Sequence, residues 1–265
     1  MDASQKGQVT RSAADVYDEF FVPALFAPWP APVAAAAGIA PGQDVLDVAC
    51  GTGVLAREAA LRVQPGGTVT GLDRNDGMLA VARRKAPEIE WRQGQAEALP
   101  FADDRFDAVV SQFGLMFFDD RALALAEMWR VLKPGGRVAV AVWDALERTP
   151  GYAAMTAVLQ RLFGERVADA LRAPYALGDP EALTALAAEA GIPATITTCE
   201  GTARFPSIEA WVHTDVKGWT LADMIDDGQY RQLQQEAPQA LQRFVQPDGA
   251  VVFEAPAHIL CATKP

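Results

Sequence analysis

The chain has 265 residues, half of them hydrophobic and 22% charged, so it is long and apolar enough to form one large domain with a substantial core. Its formal net charge of −11, without a dense basic face, argues against nucleic acid or an anionic membrane as a partner, because phosphate binding requires clustered lysine and arginine. Three scattered cysteines without a CxxC pair predict neither a disulfide framework nor a metal site, and favour a reducing, cytoplasmic environment.

The N-terminal residues 1–11 are polar, which predicts no signal peptide, and the apolar stretch 31–40 is too short to span a bilayer. After this leader, short β-branched and apolar runs predict strands at 44–49, 68–73, 89–93, 107–113 and 137–143. Pro-Gly pairs stand just before three of them, at 41–42, 65–67 and 134–136, as tight turns require. Helical segments lie between the strands, and this alternation predicts a mostly parallel sheet covered on both faces.

Helical periodicity marks two of the intervening segments. Leu125, Met128, Trp129 and Leu132 recur at a spacing that gives one apolar stripe. Residues 179–191 contain an aspartate cap, a proline at the first helical position and a terminal glycine, which together predict a complete helix.

Two more strands are predicted near the C-terminus, at 195–205 and 251–263. The segment 206–249 between them is too short for its own core and is interpreted as an insertion. Ser207 is the expected cap of a helix carrying Trp211 and Trp219, and a second helix is expected from Gln229 until Pro238 interrupts it.

The string VLDVACGTG at 45–53 joins a buried strand to a glycine-rich turn and a helix start, an arrangement that lets backbone N–H groups approach a ligand. Gly51, Gly53 and Ala56 satisfy the dinucleotide pattern G-x-G-x-x-G/A. Asp73, at the end of the next strand, suits the ribose hydroxyls of a nicotinamide cofactor or of another nucleoside cofactor. On these residues alone a nicotinamide oxidoreductase is as good an interpretation as any other.

A family resemblance favours one of these cofactors. The segment 40–143 resembles the methyltransferase family, type 11, that includes the ubiquinone and menaquinone C-methyltransferases. Four ordered motifs carry the resemblance: VLDVACGTG at 45–53, GLDRNDGMLAVAR at 71–83, GQAEALPFADDRFDAVV at 94–110 and EMWRVLKPGGRVAVAVW at 127–143. It implies a Rossmann-like α/β fold: a seven-stranded, mostly parallel sheet with its last strand antiparallel, helices on both faces and a helical lid insertion.

The resemblance also implies that the cofactor is S-adenosylmethionine (SAM), with S-adenosylhomocysteine (SAH) as its product. Gly51 and Gly53 are then expected along the methionine and ribose, Asp47 at the methionine ammonium and Asp73 at the ribose hydroxyls. The other implied cofactor contacts are Ala49, Arg74, Met78, Gln95, Ala96, Glu97 and Gln112. The family usually has an acid where Gln95 stands, and an amide can still accept a hydrogen bond from adenine.

Candidates for the acceptor site are aromatic or apolar and flank these motifs: Tyr17, Phe21, Trp29, Phe113, Met116, Trp143 and Trp211. Each of these side chains could equally serve only to pack the core. No Ser-His-Asp or paired-carboxylate signature identifies a catalytic base; Gln112, Tyr17 and His213 are the catalytic candidates. His213 and His258 are each interpreted as a surface or packing histidine in preference to a general base, and Cys50 as a small buried residue.

These features predict methyl transfer to a small, partly aromatic or apolar acceptor by in-line displacement, without a metal. One domain is expected over 1–265, with a leader at 1–39, the core at 40–205 and 250–265, and the insertion 206–249 over the acceptor site; the chain is expected to be a monomer or homodimer. The alternatives are an NAD(P)-dependent oxidoreductase and a protein that binds SAM without transferring methyl.

Overall fold

The computed structural model describes residues 11–217, 221 and 224–265. Two predictions therefore fall partly outside the described residues: the polar N-terminal stretch, at residues 1–10, and the position of Trp219. The strands are β1 Asp44–Val48, β2 Thr68–Asp73, β3 Glu90–Gln93, β4 Phe106–Gln112, β5 Leu132–Trp143, β6 Thr195–Cys199, β7 Thr202–Phe205, β8 Val251–Glu254 and β9 Ala257–Thr263.

Seven of these strands form one sheet in the order β3-β2-β1-β4-β5-β9-β6. Strands β1 to β5 pair in parallel, and β9, the last in the chain, is antiparallel to β5 and to β6. The central strands consist almost wholly of buried residues, as expected for a sheet covered on both faces. The predicted fold class is confirmed.

Helices surround the sheet and precede it. They are α1 Arg11–Val16, α2 Pro30–Ala36, α3 Val54–Arg62, α4 Asp76–Lys85, α5 Arg121–Val131, α6 Pro150–Phe163, α7 Glu165–Arg172, α8 Pro180–Glu189, α9 Ile208–Lys217 and α10 Asp227–Leu241. A π-helical segment, Tyr17–Phe26, follows α1 directly. Side-chain caps begin five of the helices, with Asn75, Asp120, Asp179, Ser207 and Asp226 as the accepting residues.

Local sequence features explain several of the turns and helices. Gly42 and Gly66 have positive φ, at 83° and 90°, so the first two predicted Pro-Gly turns need glycine at these positions. The third, at 134–136, is not a turn before β5: Gly135, with a φ of 79°, lies inside that strand, where its register with β4 shifts. The predicted stripe of α5 is buried at Leu125 and Met128. Leu132 is instead the first residue of β5, a correction to the predicted helix.

The two C-terminal strand predictions, 195–205 and 251–263, are wrong in their extent, because each run is divided between the two sheets. Strands β6 and β9 belong to the large sheet, whereas β7 and β8 form an antiparallel pair. Both runs bend at the same place: the Ala255 N–H donates to the Gly201 carbonyl at 2.8 Å. A Cβ on Gly201 would lie 2.4 Å from the Trp29 ring, so the bend accommodates this indole.

The predicted interruption at Pro238 is also wrong. Helix α10 runs through this residue to Leu241 and starts from the Asp226 cap, before Gln229. A proline inside a helix removes one backbone hydrogen bond. Two features offset that loss: a capping box formed by Asp226 and Gln229, and the buried side chains of Leu233, Ala237 and Leu241.

Candidate functional site

A cavity of about 910 Å³, including its open mouth, lies at the edge of the large sheet where β1, β2, β4 and β5 end. Ligands of open α/β sheets bind at this edge. The lining comes from these strand ends, the leader and the loops that follow: Tyr17, Phe26, Ala49, Gly51, Leu72, Asp73, Arg74, Met78, Gly94, Ala96, Glu97, Gln112, Phe113, Gly114, Phe117, Phe118 and Trp143.

The turn after β1 has an unusual backbone. Ala49, Gly51 and Gly53 all have positive φ, at 57°, 54° and 85°. For alanine this conformation is unfavourable and persists only where the surroundings enforce it, as often happens at functional sites. Here the Cys50 N–H donates to the Leu72 carbonyl at 3.0 Å, which ties the turn to β2.

The Asp73 carboxylate organises this end of the cavity. Its Oδ2 accepts the Gly51 N–H at 2.8 Å and its Oδ1 accepts the Asn75 N–H at 2.8 Å. Burial raises the pKa of Asp73, and the two backbone hydrogen bonds act in the opposite direction. Each carboxylate oxygen has a second acceptor site, so Asp73 can hold the glycine turn and still accept ligand hydroxyls.

Gly53 has a role that the sequence did not reveal. A Cβ at this position would lie 2.4 Å from the Trp91 ring, and one at Gly71 would lie 2.3 Å from the same ring. The indole lies across both glycines, and its Nε1 donates to the Ala86 carbonyl at 2.8 Å. Gly53 therefore packs against β3 and does not line the cavity.

Replacing each of the two glycines of the turn, Gly51 and Gly53, by alanine is expected to lower the free energy of unfolding by different amounts. Gly51→Ala should cost about 1–2 kcal/mol for the left-handed conformation alone, since its Cβ meets nothing within 4 Å. Gly53→Ala has the same conformational cost and adds the clash with Trp91, about 1–3 kcal/mol more. Urea unfolding of both variants measures the difference, and equal losses would contradict the packing role of Gly53.

Gln112 ends β4 and lines the cavity. Its Nε2 donates to the Phe26 carbonyl at 3.3 Å, while its buried Oε1 has no hydrogen-bond partner among the described residues. Phe113, the next residue, has a φ of 56° and stacks on Trp143 with ring centroids 3.8 Å apart. Gln112 thus lies in the cavity lining beside a wall of aromatic rings.

The cavity brings together eight of the eleven predicted cofactor residues: Ala49, Gly51, Asp73, Arg74, Met78, Ala96, Glu97 and Gln112. The other three lie elsewhere. Gly53 packs on Trp91, Gln95 is exposed, and Asp47 is buried beneath the turn, where burial raises its pKa well above the ordinary value. The Asp47 Oδ2 has no hydrogen-bond partner among the described residues.

The acceptor candidates are more dispersed. Tyr17, Phe113 and Trp143 line the cavity. Phe21, Trp29 and Met116 are buried behind the lining, and Trp29 packs edge-on against both Phe113 and Trp143. These three act through packing in this structure.

The insertion candidates do not line the cavity. Trp211 is fully buried between Phe205 and Phe253, beside the two-stranded sheet. His213 contacts the Tyr230 hydroxyl at 3.1 Å and the edge of Phe20. His258 is buried in β9 between Thr198 and the Gly178 carbonyl, and Cys50 is also buried. Both residues therefore occupy positions that suit a packing role.

The leader covers the cavity from outside the sheet. Tyr17 begins the π-helical segment and contacts Phe21 and Phe26. Two ion pairs join the leader to the basic C-terminal end of α4: Asp15 pairs with Arg84, and the buried Asp18 with Lys85.

Sequence reasoning missed six lining residues: Phe26, Leu72, Gly94, Gly114, Phe117 and Phe118. Leu72 and Gly94 adjoin residues that the motifs identified. Phe117 and Phe118 follow β4 in a short aromatic run, a signal that was available because segments after parallel strands gather at the ligand edge. Phe26 has no such local signal.

Among the described residues no helix combines the length and the apolar character needed to cross a bilayer. Within the same part of the chain, no group of three or more histidine, cysteine or acidic side chains is arranged to hold a metal ion.

The central part of the chain is similar in sequence to known proteins. Residues 46–140 match the model of a methyltransferase domain. Demethylmenaquinone methyltransferase of Renibacterium salmoninarum is 49% identical over 113 residues, which are 43% of this chain and 46% of that protein. The chain thus matches less than half the length of this curated relative.

Two solved structures extend the likeness of fold to most of the chain. Phosphoethanolamine N-methyltransferase 2 of Haemonchus contortus superposes with a TM-score of 0.63 and 21% identity, covering 100% of this chain and 59% of that one. The YcgJ protein of Bacillus subtilis gives a TM-score of 0.61 and 20% identity, covering 89% and 98%. Residues 46–140 therefore resemble a methyltransferase domain in sequence, and the likeness of fold extends beyond them to most of the chain.

Proposed function

We propose that this chain binds S-adenosylmethionine in the cavity at the sheet edge and transfers its methyl group to a small, largely apolar acceptor. One observation carries the proposal: the positive-φ glycine turn, the buried Asp73 carboxylate and the aromatic wall at Gln112 face a single cavity. The matched methyltransferase domain supplies the same expectation from a separate source.

The residues present fit this cofactor. Asp73 retains acceptor sites suited to ribose hydroxyls, and Gly51 leaves open space where a Cβ would otherwise stand. Leu72, Met78 and Ala96 offer apolar surface suited to an adenine ring. The unpartnered Gln112 Oε1 and the adjoining ring faces suit a sulfonium cation, since π faces and amide oxygens both attract positive charge.

When bound, S-adenosylmethionine supplies a methyl carbon that an acceptor atom attacks in line while the carbon–sulfur electron pair leaves on sulfur. The chain's own contribution is to position the reactants and exclude water. The stacked Phe113 and Trp143 form a flat wall, and Tyr17 and Phe26 close the cavity from the leader side. Gln112 Oε1 is placed to accept a hydrogen bond from an acceptor that carries a proton.

The composition of the lining favours an uncharged acceptor. The charged residues that line the cavity among the described residues are Asp73, Arg74 and Glu97, all at the end assigned to the ribose and adenine. The opposite end is aromatic. The curated relative is named for demethylmenaquinone, so a reduced quinone ring is the first acceptor to test.

The same arrangement supports one domain in which the leader covers the cofactor. Tyr17 and Phe26 of the leader line the cavity, whereas Trp211 and His213 of the insertion do not. We therefore place the cover of the cofactor in residues 11–39 and the insertion 206–249 on the acceptor side, around Tyr152 and Asp215.

Calorimetric titration with SAM, SAH and NAD(H) tests the proposal. We expect micromolar binding of the first two, about −8 kcal/mol, and none of NAD(H). Binding of NAD(H) alone would favour the oxidoreductase alternative. Tight SAM binding without methyl transfer to a panel of quinols, phenols and amines would favour a non-transferring protein, and turnover restricted to highly charged acceptors would contradict the apolar acceptor.

A further inference from the structure

The surfaces proposed to contact the cofactor are almost inaccessible in this structure. Leu72, Asp73, Met78 and Ala96 line the cavity, yet none of them is more than 9% exposed. A nucleoside has to lie against these surfaces, so a neighbouring segment has to move before it can enter. The strand ends are held by the hydrogen bonds of the sheet, whereas the leader lies outside the sheet. The leader is therefore the segment expected to move.

Tyr17 of the leader closes the cofactor end of the cavity. It lines the cavity and packs against a small cluster formed by Ala14, Met78 and Val81. Burial raises the pKa of Tyr17, and the nearby Asp73 carboxylate raises it further. The phenol thus lies beside the carboxylate that is assigned to the ribose, and a ligand bound to Asp73 would lie under this ring.

Two ion pairs hold the leader against α4. Asp15 pairs with Arg84, and Asp18 pairs with Lys85. The Asp18 side chain is only 7% exposed, and its Oδ1 has no hydrogen-bond partner among the described residues. Lys85 therefore compensates a carboxylate that has lost most of its water. The pairs join the leader to the C-terminal end of the same helix that lines the cavity at Met78.

The backbone of the leader suits an opening movement. Helix α1 has six residues and continues into the π-helical segment Tyr17–Phe26, which contains Pro23. A π-helix is a rare and weak arrangement, and proline removes a backbone hydrogen bond. Trp29, in contrast, is 2% exposed and packs edge-on against Phe113 and Trp143. The chain before Trp29 is thus free to lift while Trp29 stays in place.

We propose that residues 11–28 form a gate over the cofactor end of the cavity, and that the Asp15–Arg84 and Asp18–Lys85 pairs are the latch that holds it closed. That the ligand admitted is SAM or SAH rests on the proposed function. Entry and exit of the ligand both require the open gate. A broken latch therefore speeds association and dissociation alike and leaves the equilibrium affinity nearly unchanged.

Stopped-flow kinetics of SAH binding test the gate. Lys85→Ala leaves the buried Asp18 without its cation, so it should raise both rate constants about tenfold and change Kd by about twofold or less. Arg84→Glu places a like charge opposite Asp15 at an exposed pair and should raise both rates about threefold. Adding Asp15→Arg to Arg84→Glu restores an ion pair of opposite polarity and should return both rates to the wild-type values.

Arg83→Glu is the matched control for Arg84→Glu. Arg83 is the neighbouring residue on α4, is 45% exposed and pairs with Asp76 of its own helix. The same reversal of charge at this position should leave both rate constants within about twofold of wild type, since it breaks no contact with the leader.

Amide hydrogen exchange in the ligand-free protein gives a readout that does not depend on SAH. Lys85→Ala should speed exchange in residues 17–26 about tenfold and leave the amides of the buried strand β5 unchanged. Should Lys85→Ala fail to fold, Arg84→Glu and its rescue by Asp15→Arg keep the test decisive, because both positions are exposed.

Each outcome has a defined meaning. The gate is overturned if the latch variants leave leader exchange and both rate constants unchanged. It is also overturned if only dissociation becomes faster, because the latch residues would then affect affinity and not access. Failure of SAH to bind, with leader exchange still responding to the latch variants, would overturn the proposed function and leave the gate standing.

Discussion

An Asp73→Ala variant is expected to bind SAM and SAH more weakly by a factor on the order of 100 or more. The proposed contacts to the ribose hydroxyls are charge-assisted hydrogen bonds, each worth about 1.5–3 kcal/mol. The substitution removes both of them and also releases the Gly51 N–H, which Asp73 holds at 2.8 Å. The glycine turn then loses the partner that fixes its position.

Stability is expected to change less than affinity in this variant. Burial raises the pKa of Asp73, which shows that the ionised carboxylate is desolvated in the folded protein. Its removal relieves that cost while it leaves the Gly51 and Asn75 N–H groups without their acceptor, about 1–3 kcal/mol each. These terms have opposite signs, so they partly cancel in the net change in unfolding free energy.

Calorimetry for affinity and urea unfolding for stability separate the two effects. Asp76→Ala is the matched control: its carboxylate lies three residues further along, is 71% exposed and pairs only with the exposed Arg83 in the described structure. This control should bind SAH normally. Wild-type affinity in the Asp73→Ala variant would show that Asp73 does not bind the ribose, and it would argue against SAM as the ligand of this cavity.

Asp215→Asn is expected to remove a strong pH dependence from the stability of the protein. Burial raises the pKa of Asp215 from its ordinary value of 3.8 to about 8. Between these values the folded protein holds a proton that the unfolded chain releases. The stability that this proton provides is complete below about pH 4 and is lost progressively as the pH rises to about 8, at about 1.4 kcal/mol per pH unit.

Asparagine retains an oxygen that can accept the Tyr152 hydroxyl, yet it does not titrate in this range. Urea unfolding of both proteins from pH 5 to 9 therefore isolates the contribution of Asp215, since other titrating groups are common to both. Asp227→Asn, an 82% exposed carboxylate in the same segment, should keep the wild-type slope. Identical slopes for wild type and Asp215→Asn would show that Asp215 is ionised at neutral pH in the folded state.

The core strands were predictable because their signals are local. Strands β1, β2 and β4 are short apolar runs, and positive-φ glycines stand in the turns before β1 and β2, at Gly42 and Gly66. The division of 195–205 and 251–263 was not predictable, since it depends on Trp29, far away in the chain, which packs against Gly201. Nor was the continuation of α10 through Pro238, which depends on the burial of Leu233, Ala237 and Leu241.

The sequence by itself determined where the ligand edge would be and eight of the eleven predicted residues that line the cavity there. In a parallel sheet the carboxyl ends of the strands meet at one edge, so Gly51, Asp73 and Gln112 had to gather there. Only the tertiary structure decided that Gly53 packs on Trp91, that Phe26 closes the cavity, and that Tyr152 and Asp215 meet behind Trp143. Such contacts join residues far apart in the chain, and no local periodicity encodes which side chains of separate elements fill the same space.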